Sequence, residues 1–404
     1  MSAIRDYVRS LGLDAYAVGG SVRDELLGKE APDEDFLVPR VGHTELRAAL
    51  EPHGRVEDLE VMDRLVGVRF FPRDPDARRL EDGTLVDPFD GEADLRAGVL
   101  RTVSETSFRE DPLRLVRGFR FVSQLALEPD ERTLAQMHEQ AAGVQLVSGE
   151  RIGGGLAADG LGELSKLLLG TRPAHALRLM RDTGVLVALL PEFEPALGYS
   201  LGTDRQPVPL DEHVFAVVQN AAELGYPLRV RLAALLHDLG KPHEDAVARP
   251  HAELGADLAR GVLNRLRYPS RLTSHVVRLV RGHAYHLDGE IDGLRARRFL
   301  AEHGEELALD LLDHKEADLR AKRIEPWELP ALERLRAAVL AERESPYRLR
   351  DLAVDGADLI ELGFGEGPEL GRVLAALLDE VIEEPARNTR NALLGRAREE
   401  LERV

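Results

Sequence analysis

No cysteine occurs among the 404 residues, which excludes a disulfide framework and any thiolate metal site. That absence fits a reducing compartment without requiring one. No run approaches the roughly 20 apolar residues that span a bilayer, and the opening MSAIRDYVRSLGLD lacks an apolar core of signal-peptide length. A cytoplasmic protein is therefore expected. Basic residues are outnumbered, 53 Lys and Arg against 72 Asp and Glu. The net charge of −19 argues against a generally sticky nucleic-acid binder, because phosphate contacts rest on Lys and Arg. Any RNA site must be a local basic patch. Residues 109–120, 260–281 and 295–298 are arginine-dense, and each reads equally well as a solvated helix face. No fixed-period repeat is visible, and nothing is low in complexity beyond the glycine cluster 153–162, which reads as an inter-helix loop.

What is present, at 44% hydrophobic content, suffices to bury cores in two to four domains. The most informative stretch is YAVGGSVRDELLGKEAPDEDF, residues 16–36. The apolar run 15–18 stops at Gly19-Gly20, so it predicts a strand entering a tight turn whose backbone can approach a ligand. Ser21 and Asp24 have capping-box spacing, which predicts a helix ending at Gly28. Backbone N–H groups gathered there favour a phosphate chain, with Arg23 placed to help. Asp33 and Asp35 alternate on the next strand and would share one face. Two neighbouring carboxylates repel unless a cation lies between them, so the pair reads as a Mg²⁺ clamp for phosphoryl transfer.

GG-S-VRD, a short helix and D-x-D together resemble the nucleotidyltransferase head of the tRNA CCA-adding enzyme and bacterial poly(A) polymerase family. The segment 85–103, with Asp87-Pro88 and Gly91 as turn formers, resembles the family's DP-x-x-G-x-x-DL stretch. Residues 108–121, FREDPLRLVRGFRF, are similar to its EDPLR-x-x-R-x-x-RF helix. Read from the residues, Asp111 before Pro112 is a helix cap and Arg114 a surface partner. The resemblance implies instead that Asp111 and Arg114 template the incoming base. A carboxylate accepts from the exocyclic amine common to C and A, and a guanidinium donates to the ring acceptors beside it. Arg117 and Arg120 would hold the triphosphate.

Further on, LAALLHDLGK places His237-Asp238 at the end of an apolar helix, after His213 at the start of an earlier one. His251, His283, His286 and Asp318 follow. Imidazoles and carboxylates without thiolates suit Mn²⁺, Ni²⁺, Fe²⁺ or Mg²⁺. The series resembles an HD-domain metal phosphohydrolase, which implies His213, His237, Asp238 and Asp318 as ligands and His251 and His283 as candidates for a second metal. It also implies phosphatase and 2′,3′-cyclic phosphodiesterase action.

The expected architecture is an α/β nucleotidyltransferase head with a small mixed sheet (1–124), then an all-α neck (125–195), HD domain (196–325) and helical tail (326–404) that grips the tRNA body. The implied activity is addition of CMP, as CC alone or as full CCA, to the tRNA 3′ end from CTP and ATP. Between Asp35 and Asp87 the chain is shorter than most of the family and lacks its RRDFT-x-N segment, with only residues 78–82 as a remnant. A third head carboxylate is unassigned among Glu57, Glu60 and Asp63. A CC-adding enzyme would fit the shortening. So would a degenerate head whose HD domain carries the activity on RNA ends, or, third, an RNA-binding scaffold. Poly(A) addition shares the same head motifs.

Overall fold

The computed structural model describes residues 16–18, 20–28, 35–39, 41–61, 64–72, 89–154, 160–243 and 249–401. Contacts divide the chain into two units, Met1–Ala97 and Gly98–Val404.

In the first unit, β1 (Tyr16–Val18) pairs antiparallel with β2 (Asp35–Leu37), with Val18 opposite Asp35. Helix α1 (Gly20–Leu26) lies between them and begins one residue before the Ser21 that capping-box spacing singles out. Gly28 ends the turn at φ +68°, a conformation that costs an L side chain energy and glycine little, and its N–H donates to the Glu25 carbonyl at 2.9 Å. Helix α2 (His43–Leu50) leads into a hairpin of β3 (Gly54–Val61) and β4 (Arg64–Pro72). Arg47 on α2 binds Asp58 of β3 at 2.7 Å. The apolar run 66–71 announced β4, whereas the charged alternation of β3 did not announce a strand. A strand expected at 85–86 lies outside the described residues.

The second unit is helical apart from β5 (Val99–Leu100), which pairs parallel with β6 (Glu128–Pro129). Thus a small sheet content at the front is followed by helices, the α/β-then-α order the sequence implied. Helix α3 (Leu113–Leu125) buries Leu115, Val116, Phe119 and Val122 at helical spacing, and packs on α4 (Glu163–Leu168), where Ser123 Oγ donates to the Leu167 carbonyl at 2.7 Å.

The helices that position the histidines follow. Helix α5 (Leu210–Glu223) packs on α6 (Leu228–Leu236), which is apolar nearly all round and buries every residue from Val230 to its end. Each fully buried Leu or Val there contributes about 1.5–3 kcal/mol. Helices α7 (His251–Arg265), α8 (Ser270–Gly282) and α9 (Glu305–Arg320) pack around α6. Helix α10 (Glu328–Glu342) lies against α9 in a second core with Leu312, Leu335 and Val339. Leu352, Leu359, Phe364, Leu377 and Leu393 form a separate small core nearer the C-terminus. No described helix is long and apolar enough to cross a membrane.

Candidate functional site

Four side chains from three helices converge where α6 ends. His213 projects from α5, His237 and Asp238 follow the last turn of α6, and Asp318 comes from α9; all four are at most 3% exposed. His213 Nε2 lies 3.1 Å from Asp318 Oδ1 and 3.5 Å from Asp238 Oδ2, and His237 Nε2 lies 3.1 Å from Asp238 Oδ2 and 3.7 Å from Asp318 Oδ1. None of these four converging atoms makes an aligned hydrogen bond within the protein. Asp238 Oδ2 also faces the Lys241 ammonium at 2.6 Å, whereas the two imidazole nitrogens and Asp318 Oδ1 have no aligned partner; buried polar atoms so left are costly, and their convergence fits a metal ion. His237 Nδ1 donates to the Ala234 carbonyl at 2.9 Å, which can only accept. That bond fixes the tautomer and leaves the Nε2 lone pair for a metal.

Beside this group, His251 heads α7 and His283 follows α8. Their Nε2 atoms are 3.3 Å apart and lie 3.8 and 3.5 Å from Asp238 Oδ1. Asp238 therefore turns one oxygen to His213 and His237 and the other to His251 and His283, the disposition of a bridging carboxylate. His283 Nδ1 donates to the Val280 carbonyl at 2.6 Å, so its Nε2 is also the lone-pair nitrogen. His286 lines the adjoining cavity. Gly240 allows this approach: a Cβ there would fall 2.1 Å from the His251 carbonyl oxygen and 2.7 Å from the Gly255 nitrogen.

Electrostatics favour ligands ready for a cation. Burial pushes His237 down to about 4, so the ring is neutral near neutral pH. Burial pushes the Asp238 carboxyl up, but the His237 ring and its other imidazole neighbours outweigh that and hold it well below the usual range. Burial likewise raises Asp318, outweighed by Lys322, whose ammonium donates at 2.7 Å, and by His213 and His237. His213 is pushed down by burial but held up, on balance, by Asp238 and Asp318.

His314 was not singled out in the sequence. It is 1% exposed, its ring centroid lies 4.9 Å from that of His237 and 5.7 Å from that of His283, and neither of its nitrogens has a partner. Burial and then the neighbouring His237 and His283 push it well down. Its signal was spacing, since it stands one helical turn before Asp318 on α9.

The second constellation sits at the start of α3. Asp111 caps that helix, its Oδ1 accepting from the Leu113 N–H at 3.2 Å, and Arg151 donates to both its oxygens at 3.2 and 3.0 Å. Arg114 is half exposed and donates to the Ser107 carbonyl at 3.1 Å and to Glu110 at 3.3 Å. Arg114 and Arg117, with Thr102, Phe108 and Phe121, line a cavity of about 260 Å³. Arg117 and Arg120 both reach Glu163, at 3.0 and 3.2 Å. Neither Arg151 nor Glu163 was read from the sequence.

In the first unit, the register sets Asp35 opposite Val18, at the end of β1. Gly20 opens α1, and a Cβ on it would sit 3.4 Å from Arg23 Nη2. Arg23 pairs with Asp24 at 2.6 Å. Gly19, Asp33 and Asp63 lie outside the described residues, as does the 78–82 remnant. Glu57 and Glu60 are on β3, and Glu57 pairs with Arg55 at 3.3 Å.

Residues 210–358 match the HD domain family, and residues 126–197 match the family described as a probable RNA and SrmB-binding site of polymerase A. A multifunctional CCA protein of Burkholderia lata is 31% identical, over 82% of this chain and 91% of its own. A CC-adding tRNA nucleotidyltransferase of Thermus thermophilus is 33% identical, over 91% of this chain and 89% of its own. In structure the chain is similar to the Bacillus stearothermophilus CCA-adding enzyme in complex with CTP, with a TM-score of 0.66 at 24% identity, covering 100% of this chain and 98% of that one. It is also similar to the Thermotoga maritima CCA-adding enzyme complexed with tRNA, with a TM-score of 0.57 at 18% identity, covering 98% and 93%. At that identity and coverage to curated relatives, this chain belongs to the CCA-adding tRNA nucleotidyltransferase family and carries that family's HD domain.

Proposed function

We propose that the chain transfers CMP from CTP to the 3′ end of tRNA and that its HD cluster is a working metal-dependent phosphohydrolase. The likeness, over most of the chain, to a multifunctional CCA protein and to a CC-adding relative carries the first half. In the head (1–124), Asp33 and Asp35 would hold Mg²⁺, which supplies charge stabilisation at the transferring phosphoryl group. Gly19, Gly20 and Arg23 would cradle the triphosphate, helped by Arg117 and Arg120. Asp111 and Arg114 would read the Watson–Crick edge of the base, and Arg151 would keep the Asp111 carboxylate oriented. The neck (125–195) and tail (326–404) would hold the tRNA body.

The four converging atoms of His213, His237, Asp238 and Asp318, three of them without an aligned hydrogen bond or a lysine partner, support the second half. In the HD domain (196–325) these residues would hold one ion, and Asp238, His251 and His283 a second; the donor set suits Mn²⁺, Ni²⁺, Fe²⁺ or Mg²⁺. A metal there supplies a water of lowered pKa for attack on phosphorus. The deciding experiment offers a tRNA lacking its CCA end to the wild type with labelled CTP, then with labelled ATP. Incorporation of CMP supports the transferase, the ATP arm separates CC from CCA addition, and no incorporation of either nucleotide leaves the hydrolase alone.

A further inference from the structure

A cavity of about 560 Å³ opens beside the HD cluster, with Asp238, Asp318, His251 and His283 in its wall. Four cationic side chains also line it. Three are neutralised within the protein. Lys241 Nζ lies 2.6 Å from Asp238, Lys322 Nζ lies 2.7 Å from Asp318, and Arg205 reaches both oxygens of the buried Glu328 at 2.5 and 3.1 Å. Lys315 differs. Among the described residues no carboxylate lies within salt-bridge distance of its ammonium, which sits 4.5 Å from the centroid of the Tyr285 ring. A partly buried cation without a counter-ion is costly, and one that opens onto a cavity beside a cluster of metal-ligand side chains suits an incoming anion.

The same cavity is lined by Trp327, the single tryptophan of the chain, a residue that is 46% exposed. The backbone beneath it is anchored by hydrogen bonding. The Trp327 carbonyl accepts from the Ala331 N–H at 2.9 Å at the start of α10, and the next residue, Glu328, is buried in its bond with Arg205. An exposed indole on a fixed helix start contributes little to the core. It does offer a flat face, and stacking a nucleobase on an aromatic ring contributes about 1–3 kcal/mol.

The geometry points to a nucleotide site in this cavity, in which Lys315 takes the phosphate of a nucleoside phosphate and Trp327 stacks its base. The site deepens the phosphohydrolase reading and rests on it for its catalytic purpose, though not for its binding. It gives the cavity a preference for nucleotides over base-free phosphate esters. The ligand is either a free mononucleotide or the phosphorylated end of an RNA strand, which share this chemistry.

Because the tryptophan is unique, its fluorescence reports on this one place. The full-length chain is titrated, with and without Mg²⁺, with adenosine 3′-monophosphate, adenosine, inorganic phosphate and a short oligoribonucleotide ending in a 3′-phosphate. Saturable quenching by the nucleotide is expected, at least tenfold weaker with adenosine and absent with phosphate. Lys315→Gln should weaken the nucleotide at least tenfold and leave the adenosine curve in place. Tighter binding of the oligonucleotide identifies an RNA end, tighter binding of the mononucleotide a free nucleotide, and either supports the site. No quenching by either nucleotide, or the same nucleotide affinity in Lys315→Gln, overturns it. Metal-dependent release of phosphate from the same nucleotide and oligonucleotide tests the phosphohydrolase separately. Hydrolysis without quenching overturns the nucleotide site alone, and quenching without hydrolysis keeps the site and overturns the phosphohydrolase.

Discussion

Asp238 sets one carboxylate oxygen 3.1 Å from His237 Nε2 and the other 3.5 Å from His283 Nε2, so one side chain stands between two groups of imidazoles. A bridging carboxylate makes the two groups interdependent. Asp238→Asn is expected to lose both metals, with affinity down by more than about 100-fold, whereas His251→Ala loses one. Metal content after dialysis, measured by plasma mass spectrometry, checks this. Equal stoichiometry in the two variants would contradict the shared carboxylate.

The histidines also set a pH dependence for the metal-free protein. His237 and His314 have folded pKa values below the ordinary 6.5. Below about pH 6.5 the unfolded chain therefore binds more protons than the folded one, and stability falls as the pH drops, by about 1.4 kcal/mol per pH unit for each ring. His213, whose pKa is raised, acts the other way, adding stability that is present below about 6.5 and lost above it. Its contribution is constant below about 6.5, so it does not offset the decline there. The Tm in EDTA is expected to fall between pH 6.5 and 4.5, and His314→Gln should flatten the decline. A Tm that is level over that window would refute the buried neutral imidazoles.

Gly240→Ala tests the close approach of α7. The new methyl group would overlap the His251 carbonyl oxygen, backbone that cannot rotate away. A loss of about 1–3 kcal/mol is expected, as for overpacked cores, together with weakened binding of the second metal. Denaturant unfolding and metal titration measure the two effects, and a neutral substitution would show that the helix approaches less closely.

Asp111→Ala removes the carboxylate that Arg151 orients. Discrimination of CTP against UTP should fall by about 1–3 kcal/mol, the worth of one bidentate base contact. Arg151→Gln should lose part of it while the helix cap from Asp111 to Leu113 persists. Competing incorporation of the two nucleotides measures the ratio. If it stays unchanged in both variants, Asp111 is a cap and nothing more.

Much of the HD cluster was legible because His-Asp after a continuous apolar helix has few structural explanations, and the structure brings His213, His237, Asp238 and Asp318 to one point. His314 and Lys315 were not legible. A histidine and a lysine in the charged run DHKEAD look like solvated residues until α9 is seen packed against α6 and α8. Arg151 and Glu163 stayed hidden for a similar reason, as partners brought to α3 only by the fold. β1, α1 and β2 followed from local turn chemistry, while β3 was obscured because its alternating charges resemble a loop.

The central claim is nucleotide transfer by the head. Extension of a tRNA lacking its CCA end with labelled CTP, compared between the wild type and Asp35→Ala, tests it most directly. Efficient CMP incorporation by the wild type and a loss of about 10³-fold or more in the variant is expected, since a metal-bound carboxylate contributes several kcal/mol to phosphoryl transfer. Incorporation by Asp35→Ala at the wild-type rate, or none by the wild type, would contradict it.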